Sequence, residues 1–223
     1  MLLCMYTSLE QIAEDVKKCV KCPLSKMRTH AVPGEGNLHA EIMFVGEGPG
    51  QHEDLQGRPF VGAAGKFLEE MLAVIGMKRE DVYITNVVKC RPPGNRDPEE
   101  SEVETCCTNY LNFQIAIMRP KLIVTLGRHS LKWFLKEEIP ISKIHGQLKL
   151  VTNKKTGETQ YILPLYHPAA ALYSGSQRPV HIEDFKKIPG ILEKIKQGSV
   201  RGDVPTTPSA DPSKPPPQMR LSL

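Results

Sequence analysis

Glu41-Ile42-Met43-Phe44-Val45-Gly46-Glu47-Gly48-Pro49-Gly50 sets the architecture of this chain. Four consecutive apolar residues rich in β-formers, broken at once by three glycines and a proline, read as a buried strand that runs into a tight loop. Working outward, Asp81 to Val88 and Lys121 to Leu126 read as further strands, and Gln160 to Tyr166 as another after a hairpin around Asn153 to Gly157. Helical spacing fills the intervals. Phe67, Leu68, Met71, Leu72 and Ile75 mark a helix over Ala63 to Ile75 closed by Gly76, and Pro98 to Met118 starts acidic and stops before Pro120. Arg128 to Leu135 and Ile182 to Lys196 complete the set. Upstream, Leu9, Ile12, Ala13 and Val16 behind a Ser8 cap give a short helix ending near Cys19. Alternating strands and helices predict an α/β fold, a mostly parallel central sheet flanked by helices on both faces, in a single domain over 8–198. Residues 1–7 are expected to be a poorly ordered leader. From 199 to 223 the chain is Pro-rich, with Pro205, Pro208, Pro212 and Pro215 to Pro217, and reads as a disordered tail.

The 223 residues are 40% hydrophobic and 24% charged, the balance of a globular domain with an ordinary core. The 29 basic against 25 acidic side chains leave +4, which permits an anionic partner without demanding one. Apolar runs such as Ile42 to Val45 and Leu122 to Leu126 are far short of the roughly 20 residues of a membrane span. The start lacks a basic n-region and is a poor signal peptide, so a cytoplasmic, prokaryotic-type location is expected. In that compartment six cysteines read as metal ligands, catalytic thiols or small buried residues rather than a disulfide framework. No repeat and no oligomer interface is legible, and a monomer is expected.

In an open α/β sheet, ligands bind beyond the carboxyl ends of the strands. Three strands here end in Gly46-Glu47-Gly48-Pro49-Gly50, Thr85-Asn86 and Tyr166-His167-Pro168, so a backbone cradle, an amide and an imidazole should meet on one rim. Familiar nucleotide motifs fail on these residues. Gly65-Lys66 is followed by Phe67 rather than a hydroxyl, and Pro49 removes a backbone donor from the glycine loop. Among the cysteines, Cys19-Val20-Lys21-Cys22 can present two thiolates to one centre, with Cys90 and one of Cys106 and Cys107 as further ligands. Those neighbours project about 100° apart on a helix, so at most one is a natural ligand. Four thiolates suit zinc and an iron–sulfur cluster equally.

Several motifs, in order, resemble the iron–sulfur uracil-DNA glycosylases, usually called family 4: Cys19-x-x-Cys22, Gly46-Glu47-Gly48-Pro49-Gly50, Gly57-Arg58-Pro59-Phe60-Val61-Gly62, Ile84-Thr85-Asn86-Val87-Val88-Lys89-Cys90-Arg91-Pro92-Pro93 and His167-Pro168-Ala169. The resemblance runs from about Ile12 to Lys196. It implies a [4Fe–4S] cluster on Cys19, Cys22, Cys90 and Cys107, the last chosen because it directly precedes Thr-Asn-Tyr-Leu.

The resemblance also implies a reaction, hydrolysis of the N-glycosidic bond of a uracil flipped out of DNA, leaving an abasic site. Phe60 would stack on the base and Asn86 would read its Watson–Crick edge. His167 would donate to uracil O2 as charge develops there, and backbone groups of Gly46, Glu47 and Gly48 would close the cradle. Glu47 is the candidate to activate water, because Gly48 stands where family 1 glycosylases carry an aspartate. Glu53 is a candidate to fill the space beside uracil C5, against a plain solvated Glu53-Asp54 pair. Leu172 or Tyr173 would wedge into the DNA, with Arg178, Lys89, Arg91 and Arg96 on phosphates. Gln218-x-x-Leu221 on the tail resembles a sliding-clamp-binding peptide without its closing aromatics. Two alternatives stand beside this reading: a related glycosylase with another damaged-base preference, and a non-catalytic DNA-binding module whose metal site only staples loops.

Overall fold

The computed structural model describes residues 6–152 and 158–199. In chain order its elements are α1 (Leu9–Lys18), β1 (Glu35–Gly36), β2 (Ile42–Gly46), α2 (Gln51–Gln56), α3 (Ala63–Val74), β3 (Tyr83–Asn86), α4 (Glu100–Cys106), α5 (Asn112–Met118), β4 (Leu122–Leu126), α6 (Arg128–Leu135), α7 (Ile141–Ile144), β5 (Lys149–Thr152), β6 (Thr159–Leu165), α8 (Ala170–Tyr173) and α9 (Gln177–Lys196). A π turn, Cys107–Leu111, joins α4 to α5 in one continuous rod. No described helix is long and apolar enough to cross a membrane.

The six strands lie in the order β1-β3-β2-β4-β6-β5. The central four are parallel and the two edges antiparallel, so the α/β expectation holds. β2 is buried along its whole length, as a strand covered on both faces must be. Its side chains alternate: Met43 and Val45 join Ile12, Val16, Tyr110 and Leu111 on one face, while Ile42 and Phe44 join Phe67, Leu68, Phe185 and Ile188 on the other. The chain leaves β2 to one side for β3 and later to the other for β4, so the crevice at the carboxyl ends opens beside β2.

Two expectations need correction, and one element is new. Tyr6 and Thr7 belong to the domain rather than to a loose leader. Tyr6 is buried, donates to Asp15 Oδ2 at 2.7 Å and meets the Phe113 ring edge-on. The new element is a helix that follows the glycine loop directly, because Gly50 N–H is capped by Glu53 Oε2 at 3.1 Å and α2 begins at Gln51. The other correction is that Glu53 and Asp54 are not a solvated pair. Glu53 Oε1 accepts from the N–H groups of Val61 and Gly62, both at 2.8 Å, and buried Asp54 accepts from Thr29 and His30. Both carboxylates therefore tie loops to α2. The turn at 153–157 and the tail at 200–223, with the clamp-like Gln218 and Leu221, lie outside the described residues.

Candidate active site and cysteine cavity

One crevice at the carboxyl end of the sheet is lined by Glu47, Gly48, Glu53, Phe60, Asn86 and His167, with Arg96 and Ala169 at its edge. Gly46 and Asn86 are register partners on β2 and β3. A Cβ on Gly46 would stand 2.4 Å from Asn86 Oδ1 and 2.5 Å from Phe60 Cζ, so only glycine lets that amide and that ring sit side by side. The glycine loop is stitched to the next one by Val87 N–H to Gly46 O at 3.0 Å and Val88 N–H to Glu47 O at 3.1 Å. Gly48 has a similar role: a Cβ there would meet Val88 Cγ2 at 2.7 Å.

Phe60 holds a backbone conformation with φ of +52°, which bulky residues adopt only when their surroundings impose it. Arg79 imposes it, donating from Nη1 to Phe60 O at 2.8 Å and from Nη2 to Pro59 O, while Glu35 Oε1 holds its Nε at 2.5 Å. Gly65 leaves room for that carbonyl, since a Cβ would lie 1.8 Å from Phe60 O. The fixed ring faces His167 at 5.7 Å between centroids.

Asn86 is 1% exposed and its Oδ1 has no hydrogen-bond partner among the described residues. A buried amide oxygen left unpaired costs about 1–3 kcal/mol, so this acceptor is placed for a donor that arrives with a ligand. Burial, helped by nearby His181, pushes the pKa of His167 down to about 4. The ring is thus neutral near pH 7. Ala169 N–H donates to Nδ1 at 3.2 Å, which puts the remaining proton on Nε2 as a donor. Burial also raises the carboxyl of Glu47 above the ordinary range, partly offset by His129.

His129 was not anticipated from the sequence. Its Nε2 lies 3.3 Å from Asp97 Oδ1 and 3.7 Å from Glu47 Oε2, and these three are the one group of potential ligand side chains within 4.8 Å of one another among the described residues. Arg128 pairs with Asp97 on the same rim. The Arg128-His129 sequence behind Gly127 offered no periodic or motif signal for this. A larger groove along α4 and α6 adjoins the rim at Asp97, Arg128 and His129 but holds none of the other strand-end groups.

On the opposite side of β3, Cys19, Cys22, Cys90 and Cys106 line one small cavity with Tyr110 and Lys89. This corrects the choice of Cys107. That thiol is turned away into the core, where it donates to Val87 O at 3.4 Å. Four thiolates on one zinc at about 2.3 Å would lie under about 4 Å apart, yet no three of these sulfurs come within 4.8 Å of one another. The wider setting suits a cluster. Arg28 Nη1 donates to Cys90 Sγ at 3.0 Å and Lys89 N–H to Cys106 Sγ at 3.3 Å, the kind of donors that surround cluster sulfurs.

The expected DNA contacts divide. Leu172 and Tyr173 on α8 are 49% and 90% exposed, directly after the His167 loop. Arg91, Arg96 and Arg178 are engaged with Asn95, Glu102 and Glu70 respectively, with Arg96 gripping both Glu102 oxygens at 2.9 and 2.8 Å. Lys89 cannot touch phosphate. It is 1% exposed, because its ammonium is folded under β3.

The model of the uracil DNA glycosylase superfamily matches residues 33–188. The chain is 55% identical over 186 residues to the Type-4 uracil-DNA glycosylase of Sulfurisphaera tokodaii, covering 81% of this chain and 83% of that one. It is 44% identical over 197 residues to the protein of the same name from Thermotoga maritima, covering 85% and 99%. A Type-5 uracil-DNA glycosylase of Pyrobaculum aerophilum is 36% identical over 120 residues, 47% of this chain and 52% of that one.

Proposed function

Since this chain belongs to the uracil-DNA glycosylase superfamily, we propose that its strand-end crevice takes a uracil flipped out of DNA and hydrolyses its N-glycosidic bond, leaving an abasic site for repair. The observation that carries this is the unpaired, buried Oδ1 of Asn86 beside the fixed Phe60 ring. That oxygen accepts from uracil N3–H and the amide nitrogen donates to O4, while cytosine would set donor against donor and leave buried groups unpaired. Phe60 stacks on the base. As the bond breaks, negative charge grows on uracil O2 and the neutral His167 donates from Nε2 to it. Glu47, kept protonatable above the usual carboxylate range, is the group that takes a proton from the attacking water. Tyr173 and Leu172 fill the gap left by the base, and Arg96 and Arg178 exchange their internal carboxylates, and Arg91 its Asn95 amide, for phosphates.

Cys19, Cys22, Cys90 and Cys106 hold a [4Fe–4S] cluster in this reading. The cluster supplies a rigid brace between α1, α4 and the loop after β3. The test is direct: incubate the iron-replete protein with oligonucleotides carrying uracil, hypoxanthine or thymine opposite guanine, then cleave abasic sites with alkali. Cleavage at uracil is expected. Cleavage only at hypoxanthine would favour another base preference, and DNA binding without cleavage would leave a non-catalytic module.

A further inference from the structure

Lys89 is a fully buried cation with no carboxylate paired to it among the described residues. Its Nζ donates to Thr85 Oγ1 at 2.5 Å, to the backbone oxygen of Asn86 at 2.8 Å and to Gln114 Oε1 at 2.8 Å. Three acceptors and no donor match the three protons of an ammonium, not a neutral amine. Those acceptors are themselves fixed: Thr85 Oγ1 donates to Pro33 O at 3.0 Å, and Gln114 Nε2 donates to Pro33 O at 2.9 Å and to Tyr83 OH at 3.2 Å. A buried charge of this kind persists only if it is hydrogen-bonded and balanced. The groups that would oppose its charge, once a bound cluster ionises them, are the neighbouring sulfurs of Cys106 and Cys90. Its own backbone N–H reaches Cys106 Sγ at 3.3 Å, and Val32 N–H holds its carbonyl at 2.7 Å.

We propose that Lys89 is the positioning residue that joins the cysteine site to the base-reading site, balancing the thiolates from one end and fixing the strand end that carries Asn86 from the other. The inference rests on the glycosylase reading above. Asn86 sits at the last residue of β3, where the ladder ends and nothing else described holds its carbonyl from below. With the ammonium removed, that carbonyl and two side-chain oxygens lose their donor, and the amide in the crevice loses its fixed height. The cost falls on chemistry rather than on capture, because an error of about 1 Å in a reacting arrangement can lower rate a hundredfold. The same cation makes electrons more welcome on the neighbouring cluster.

The experiment uses the full chain as purified, with iron counted, comparing wild type with Lys89→Met and Thr85→Val. Lys89→Met keeps the stem volume and removes the charge. It is expected to retain its visible absorbance, to lower kcat for uracil release at least about tenfold with KM little changed, and to move the cluster's reduction potential downward in voltammetry. An unchanged kcat or an unchanged potential in folded Lys89→Met overturns the link. Thr85→Val takes away one acceptor and leaves the cation, so kcat should fall while the potential stays; an unchanged kcat there overturns the inference even if Lys89→Met fails to fold or loses its iron. A wild-type protein that releases no uracil sinks the glycosylase reading instead, and the potential shift still reports whether Lys89 balances the sulfurs.

Discussion

Gly46→Ala is the sharpest test of how the crevice is built. Gly46 ends β2 with φ outside the left-handed region, so alanine meets no backbone strain and the whole effect is one methyl group. That methyl would lie 2.4 Å from Asn86 Oδ1 and 2.5 and 2.7 Å from two carbons of Phe60, where ordinary contact begins at 3.4 Å. The amide and the ring must therefore each give way by about 1 Å, or the strand must move. Phe60 has little freedom to retreat, with its carbonyl held by Arg79 and pressed against Gly65. Overpacking of this kind costs about 1–3 kcal/mol of stability, which a domain of this size survives. Displacing the two groups that grip the base by that distance should cost about a hundredfold in rate. Single-turnover release of uracil from a guanine-opposed oligonucleotide, with thermal unfolding alongside, measures both. A folded Gly46→Ala protein that cleaves at the wild-type rate would refute the claim that Asn86 and Phe60 act side by side on one base.

Other outcomes follow from the same geometry. Cys106→Ser should lose iron and visible absorbance, while Cys107→Ser keeps both and costs about 1–3 kcal/mol at most in unfolding, through its buried hydroxyl. Only an ionised Glu47 can take a proton from water, so the rate should fall as pH drops through its raised pKa; Glu47→Gln should be slower and lack that limb, and its persistence would assign the base elsewhere. His167 has its folded pKa, about 4, below the ordinary 6.5 of an unfolded chain. Its stabilising contribution is thus whole above 6.5 and lost as pH falls toward 4, and His167→Asn should flatten that part of a melting-temperature profile. Tyr173→Ala should weaken binding to uracil-containing duplex about tenfold and to single strands much less, because only a duplex leaves a gap to fill; equal losses would deny the wedge.

Much of this was legible in the residues because burial and period agree. β2 and β4 are buried, mostly apolar runs covered on both faces, and α6 lies over Arg128–Leu135 as its spacing predicts. The rim followed from topology, since strand ends in a parallel sheet share one edge. Elements lacking a periodic signal escaped: α2 is short and is held by Glu53 and Asp54 through backbone caps, not by an apolar face. Lys89 was misplaced because lysine is ordinarily exposed, and nothing local reveals that three oxygens and a set of sulfurs surround it. His129 reaches Glu47 only through the tertiary fold. The cysteine neighbours could not be separated by spacing, because the choice depends on how the helix that carries them is turned.

That helix is not wound uniformly. On an ideal α-helix Cys106 and Gln114 would point about 80° apart around the axis, whereas the wide turn at Cys107–Leu111 absorbs one residue and brings them within about 20°. Both consequently meet Lys89, one through its backbone N–H and the other through its ammonium. The bulge works as a vernier, resetting the phase of a rod so that its first half serves sulfur chemistry and its second half serves base reading. Rewinding that turn as regular α-helix, with all its residues kept, would leave every side chain chemically intact and put the two halves out of step.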